Sequence, residues 1–157
     1  MKKKDFLLKT GQVCGNIYFV EEGLLRSFYE KEDRDISFAF MKEQDICVDL
    51  ESFLTQEYSQ RSIQAQEAGP LSSLPPDELQ RIYREFDGFN MIGRVMTEEC
   101  FIRYIQRLTS MWMQPSERRY EWLVQRSPEL FQRVPAKYLA SYLGITESML
   151  SMVRNKR

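Results

Sequence analysis

Near the end of the chain, in residues 135–157, apolar positions recur every three or four residues on both sides of a single glycine. This spacing predicts two short amphipathic helices that close a small core between them. Gly144 supplies the left-handed conformation that ends a helix, and the hydroxyl of Thr146 would cap the next one. Ala140 is small because the second helix must cross close over the first. The apolar positions are Leu139, Leu143, Ile145, Leu150 and Val153.

Two helices joined by a tight turn are typical of a helix-turn-helix, which lays its second helix in the major groove of DNA. The polar positions of that helix, with the basic residues around it, would then meet bases and phosphates. An ordinary helical hairpin is the alternative. We predict that the DNA-binding residues are Lys137, Thr146, Glu147, Ser148, Ser151, Met152, Arg154 and Lys156.

Residues 4–74 show a different pattern, in which short runs of aromatic and aliphatic residues alternate with charged or glycine-containing turns. Strands of this length and spacing indicate a barrel or sandwich rather than a sheet of alternating strands and helices. Glu21-Glu22-Gly23 has the length of a hairpin connection and is expected to join the first two runs. The predicted strands are residues 16–20, 24–29, 36–41, 46–48, 62–65 and 71–74.

From Pro76 the apolar period changes to that of helices, which we predict at 78–86, 89–113 and 117–125. The helix 89–113 is apolar on more than one face, so we expect it to pack partly on the β domain and partly against a second copy of the chain. Burial in the core is the alternative. Ser127 followed by Pro128 predicts the capped start of a short helix. The expected domains are 1–86, 87–114 and 115–157.

The total charge of −1 hides an asymmetry between the two parts of the chain. Residues 1–102 carry 12 Lys and Arg against 19 Asp and Glu, whereas residues 103–157 carry 10 against 4. A basic C-terminal part favours DNA as a partner, because phosphate contacts supply much of the affinity of such proteins. A solvated charge bias without a partner is the alternative.

Several function classes are disfavoured by composition. No apolar run approaches the ~20 residues of a membrane span and no signal peptide is evident, so we expect a cytoplasmic protein with no membrane partner. The three cysteines are widely spaced and the chain has no histidine, which argues against a zinc or iron-sulfur site. Neither a nucleophile elbow nor a nucleotide-binding glycine pattern occurs, so we expect no enzyme.

Three segments carry a resemblance to a known family: residues 7–11 (LLKTG), 17–26 (IYFVEEGLLR) and 134–146 (VPAKYLASYLGIT). With the order of the parts, they resemble the Crp/Fnr superfamily of bacterial transcription regulators over almost the whole chain. The resemblance implies an α+β fold: a jelly-roll-like β-roll of the cyclic-nucleotide-binding type, a long dimerisation helix and a helical helix-turn-helix domain.

A phosphate cassette of that family has a counterpart here, since Glu51 and Arg61-Ser62 stand at its spacing. The resemblance implies that arginine and serine would hold a cyclic phosphate and that Glu51 would take the ribose hydroxyl. However, Leu50 replaces the family's glycine and Asp49 adds a negative charge, so cyclic AMP and cyclic GMP are disfavoured as cofactors. Another small ligand, no ligand, or a plain Glu51–Arg61 ion pair remain alternatives.

The resemblance also implies a mechanism, in which a homodimer joined along residues 89–113 presents two recognition helices about one DNA turn apart. RNA polymerase is a further candidate partner. The recognition helix departs from relatives by carrying Glu147, Ser148 and Met152 where they often have Arg, Glu and Arg. The family's usual β-hairpin wing does not follow, and the helix that commonly precedes the β domain is also missing, so one or both ends are expected to be shortened. These departures support the alternative function, a ligand sensor or protein-interaction module with a degenerate helix-turn-helix.

Overall fold

A computed structural model of the chain describes residues 1–32 and 34–155. The chain forms two compact units, Met1–Arg81 and Ile82–Arg157. The first unit consists of seven strands and one short helix, followed by the start of a second helix. These elements are β1 (Phe6–Leu8), β2 (Ile17–Val20), β3 (Leu25–Lys31), β4 (Arg34–Met41), β5 (Ile46–Cys47), α1 (Leu50–Thr55), β6 (Arg61–Ala65) and β7 (Leu71–Leu74).

The strands form two antiparallel sheets, with the orders β1-β6-β3-β4 and β5-β2-β7. Both sheets contribute side chains to one apolar core, as expected for a sandwich or roll. Core residues include Val20 and Cys47 from the smaller sheet and Leu25 and Ile63 from the larger one. The predicted β architecture is therefore confirmed.

The expected hairpin at Glu21-Glu22-Gly23 is wrong. β2 pairs with β5 and β7, whereas β3 pairs with β4 and β6, so the chain crosses from one sheet to the other at this turn. Gly23 has a φ of +99°, and a Cβ there would lie 2.9 Å from the carbonyl oxygen of Ala68. Glycine is thus required by a sheet-switching corner packed against another loop.

β1 and α1 were not predicted, because each is too short to show a period. β1 has three residues and α1 has six. α1 ends at Gln56, which takes a left-handed conformation and donates its amide to the carbonyl of Ser52 at 2.9 Å. This helix lies between Asp49 and Arg61 in sequence, where the phosphate cassette was expected.

The remaining elements are helices, and most bounds agree with the sequence. α3 has the predicted ends, and none of its residues is buried. The short helix predicted after Ser127 is present as α5, but Ser127 does not cap it: Ser127 ends α4, and Glu129 precedes α5. The helices are α2 (Pro76–Glu85), α3 (Phe89–Met113), α4 (Ser116–Arg126), α5 (Leu130–Arg133), α6 (Ala136–Leu143) and α7 (Glu147–Asn155).

Candidate functional site

The turn between α6 and α7 has the geometry that the sequence predicted. Gly144 adopts φ 64° and ψ 38° and ends α6. The amide of Ile145 donates to the carbonyl of Ala140 at 3.0 Å, and the amide of Gly144 donates to that of Ser141 at 3.2 Å. These two bonds form a Schellman motif, the common glycine-dependent end of a helix. The core between the two helices is buried as predicted at Leu139, Ala140, Leu143, Leu150 and Val153.

Thr146 caps α7 as predicted. Its Oγ1 accepts a hydrogen bond from the amide of Met149 at 3.2 Å. The same hydroxyl lies 2.9 Å from the hydroxyl of Ser148. The start of the second helix is therefore fixed by a side chain, which holds the residues after it in register.

The outer face of α7 carries most of the predicted DNA-binding residues. Glu147, Ser148, Ser151 and Arg154 are all exposed there. Met152 is 56% exposed. These positions share one side of the helix because the opposite side supplies Leu150 and Val153 to the core. The structure thus brings these five predicted residues together on an accessible surface.

Other residues extend or fall outside this surface. Lys137 is exposed near the start of α6, with its Nζ 4.7 Å from the ring centroid of Tyr138. Met149, which sequence reasoning missed, is 39% exposed on α7. The sequence did offer a signal for Met149, because it follows Ser148 in the predicted recognition helix. Lys156 lies outside the described residues.

In the β domain, Arg61 is committed to an internal carboxylate. Its guanidinium forms an ion pair with Asp49, and the residues are only 8% and 3% exposed. The hydroxyl of Ser59 donates to the second carboxylate oxygen of Asp49 at 2.5 Å. The Arg61 guanidinium also lies 4.4 Å from the centroid of the Phe38 ring. The suggested Glu51–Arg61 ion pair is therefore corrected: the carboxylate is that of Asp49, while Glu51 is exposed on α1.

Ser62 is likewise engaged within the protein. Its hydroxyl is fully buried, accepts a hydrogen bond from the amide of Thr10 at 3.0 Å and donates to Glu30 Oε1 at 3.0 Å. A cyclic phosphate needs an arginine whose charge is available and a hydroxyl that is free to donate. The cassette residues of this chain do not fit that ligand, because Asp49 neutralises the arginine and Glu30 takes the hydroxyl.

The three cysteines differ in burial. Cys14 and Cys47 are buried in the β domain, and burial raises the pKa of both thiols above the ordinary value of 9.0. Cys100, on α3, is half-buried. Within residues 1–32 and 34–155, no three metal-binding side chains cluster together. In the same part of the chain, no helix has the length and apolar character to cross a membrane.

Residues 1–86 match the family model of the cyclic nucleotide-binding domain. The chain belongs to the cyclic nucleotide-binding domain family. No curated protein sequence is significantly similar to it. In this member of the family, the arginine of the phosphate cassette, Arg61, pairs with Asp49 of the same domain. The family match therefore describes the fold of residues 1–86 and does not identify a ligand.

Solved structures extend the likeness over the helices. A mutant of CooA from Carboxydothermus hydrogenoformans is 19% identical with a TM-score of 0.78, and the match covers 99% of this chain and 73% of that one. FixK2 from Bradyrhizobium japonicum is 15% identical with a TM-score of 0.83, covering 99% and 80%. A CRP/FNR-family transcriptional regulator from Thermus thermophilus is 20% identical with a TM-score of 0.63, covering 99% and 82%. The predicted α+β fold is confirmed.

Proposed function

We propose that this chain is a homodimeric, sequence-specific DNA-binding transcription regulator of the Crp/Fnr type. The observation that carries the proposal is the helix-turn-helix itself, with a buried core, a Schellman turn and an exposed polar face on α7. In this scheme residues 1–86 are the sensor, 87–114 the dimerisation helix and 115–157 the DNA-binding part. RNA polymerase remains a candidate partner of the DNA-bound dimer.

The side chains of α7 suggest how it would read DNA. Glu147 can accept a hydrogen bond from the amino group of cytosine, and Met152 can contact a thymine methyl. Arg154, near the end of the helix, would serve a phosphate, as would Lys137. No arginine occupies the start of α7, so we expect no bidentate contact to guanine from those positions.

Dimerisation is supported by the surface of α3. Large apolar side chains are exposed along almost its whole length, and a monomeric soluble protein rarely leaves such a patch uncovered. A second copy of the helix is the partner that a paired DNA reader requires. The residues concerned are Met91, Ile92, Val95, Met96, Phe101, Ile102, Ile105, Leu108, Trp112 and Met113.

For the β domain we propose a role that does not involve cyclic AMP or cyclic GMP. The ion pair between Arg61 and Asp49 supports this, since a phosphate would have to displace a buried carboxylate. An effector of other chemistry would regulate the dimer only if it bound two poses of the recognition helices with different affinity.

Selection from a pool of random duplex DNA tests the proposal directly. The purified full chain is incubated with the pool at two salt concentrations, and the retained duplexes are sequenced. We expect a palindrome with half-sites one turn apart, retained less strongly at the higher salt. Retention of no duplex, or retention without any enriched sequence, would contradict the proposal.

A second candidate function is favoured by the apolar side chains on α7. Met149 and Met152 are exposed, and methionine is frequent on surfaces that bind proteins. In that case the chain would be a protein-interaction module with a degenerate helix-turn-helix. Binding of DNA that falls steeply with salt would argue against it, because phosphate contacts produce that slope.

A further inference from the structure

The last four carbonyl groups of α6 all have hydrogen-bond donors. In most helices these groups lack partners within the helix and face water or caps. Here the carbonyls of Ala140 and Ser141 accept the amides of the Schellman turn. The next two, of Tyr142 and Leu143, accept from arginine side chains of other helices. The end of α6 is thus tied to other elements of the second unit.

Arg119, on α4, makes the most extensive of these ties. Its Nε donates to the carbonyl of Leu143 at 2.8 Å, and its Nη1 donates to the carbonyl of Gln114 at 2.7 Å. Nη2 reaches the carbonyl of Gly144 at 3.4 Å. Gln114 ends α3, so one guanidinium bridges the end of the long helix and the helix-turn-helix turn.

Arg107, on α3 itself, makes a second tie. Its Nη2 donates to the carbonyl of Tyr142 at 3.1 Å, and its guanidinium lies 3.8 Å from the centroid of the Tyr142 ring. Met111, one turn further along α3, packs directly over the turn: a Cβ on Gly144 would lie 2.4 Å from its Cε. Three side chains therefore hold the turn against the C-terminal part of α3.

We propose that Arg107 and Arg119 are positioning residues that lock the helix-turn-helix to α3, so that α7 follows the long helix as one rigid piece. A planar guanidinium with several donors suits this role, because it can bond to carbonyls of two elements at fixed angles. This inference rests on the proposed function, since its consequence is the spacing between two recognition helices in a dimer.

The test compares the double variant Arg107→Gln/Arg119→Gln with the wild-type full chain. One spin label is placed on Cys100 of α3 and another on Ser151→Cys of α7, in dimers diluted with unlabelled protein. We expect the distance distribution between the labels to broaden in the double variant. Arg118→Ala is the matched control, because Arg118 is exposed on the same helix and forms an ion pair with the neighbouring Glu121. An unchanged distribution in a folded double variant would overturn the proposal.

DNA supplies a second readout that a merely structural role would not move. We expect the double variant to keep its affinity for a single half-site but to lose about fivefold or more of its preference for the native half-site spacing. Retained spacing preference would overturn the proposal. If no variant binds DNA, the proposed function fails, while the label distances still decide whether the two arginines couple α3 to α7.

Arg119→Lys is a second, milder test, which is used if the double variant does not fold. Lysine keeps the charge but cannot bond to two carbonyls at fixed angles. We expect a smaller broadening of the same distance distribution. A distribution identical to that of the wild type would overturn the role of Arg119.

Discussion

The β domain and α7 differ in whether their polar residues are buried or exposed. In the β domain, Arg61 and Asp49 are buried against each other, and Arg26 is fully buried with its Nε donating to Ser37. On α7, by contrast, Glu147 and the serines near it face solvent. Charged side chains therefore pair with each other inside the β domain, whereas those of α7 are exposed to solvent.

This difference separates residues that hold the fold from residues available to a partner. Arg61-Ser62 has the spacing of a ligand cassette, yet its arginine pairs with a carboxylate of the same domain. Spacing alone could not distinguish the two roles. The helix-turn-helix residues are instead assigned by burial on one side of α7 and exposure on the other, which the period of the sequence does encode.

Removal of the Asp49 carboxylate should have the largest effect. Asp49→Ala removes the carboxylate that pairs with the buried Arg61 guanidinium, and we expect the free energy of unfolding to fall by about 3–5 kcal/mol. Urea denaturation of the full chain measures this. Glu147→Ala is the matched control, since an exposed carboxylate should change stability by less than about 0.5 kcal/mol. Equal losses of stability in Asp49→Ala and Glu147→Ala would contradict the difference drawn between the β domain and α7.

The turn of the helix-turn-helix should be sensitive to shape rather than charge. Gly144→Ala forces a left-handed alanine against Met111, and we expect a loss of about 1–2 kcal/mol or more. Gly88→Ala is the control, because Gly88 has φ −68° and open space around it. Thermal unfolding of both variants provides the measurement. A loss at Gly88 as large as that at Gly144 would contradict this account of the turn.

Much of the second unit could be predicted from sequence because its contacts are local. The ends of α3 and the cap at Thr146 follow from nearby residues. The sheet switch at Gly23 could not be predicted, since it depends on the carbonyl of Ala68 far along the chain. The same holds for Arg119, whose carbonyl partners lie on other helices. Local patterns specify elements, whereas pairings between distant segments need the fold.

A phosphate contact at the end of α7 should act on all DNA sequences alike. We expect Arg154→Ala to weaken binding to every duplex by a similar factor and to reduce the slope of log affinity against log salt by about one. Binding titrations at several salt concentrations measure both quantities. A change of preference among sequences, with an unchanged slope, would show that Arg154 reads bases instead.

A further predicted effect, confined to alkaline pH, concerns the buried thiols of the β domain. Burial raises the pKa of Cys14 and Cys47, so folded thiols stay protonated when those of the unfolded chain ionise. Stability is then complete below the ordinary thiol value of 9.0 and falls as the pH rises above it, by up to about 1.4 kcal/mol per pH unit for each thiol.

Unfolding titrations between neutral and alkaline pH would measure this slope. Cys47→Ala should make it shallower, whereas Cys100→Ala, at a half-buried position, serves as the control. An identical slope in wild type and Cys47→Ala would show that the thiol in the β-domain core does not contribute.

The most direct test of the central claim, that the exposed face of α7 reads DNA, is the base preference of Glu147→Ala. Affinities of wild type and variant are measured for the selected palindrome and for copies with one base pair exchanged in each half-site. The account predicts that the variant loses about 1–3 kcal/mol of discrimination at one position per half-site and keeps it elsewhere. An unchanged preference at every position would contradict the assignment of α7 as the reading helix.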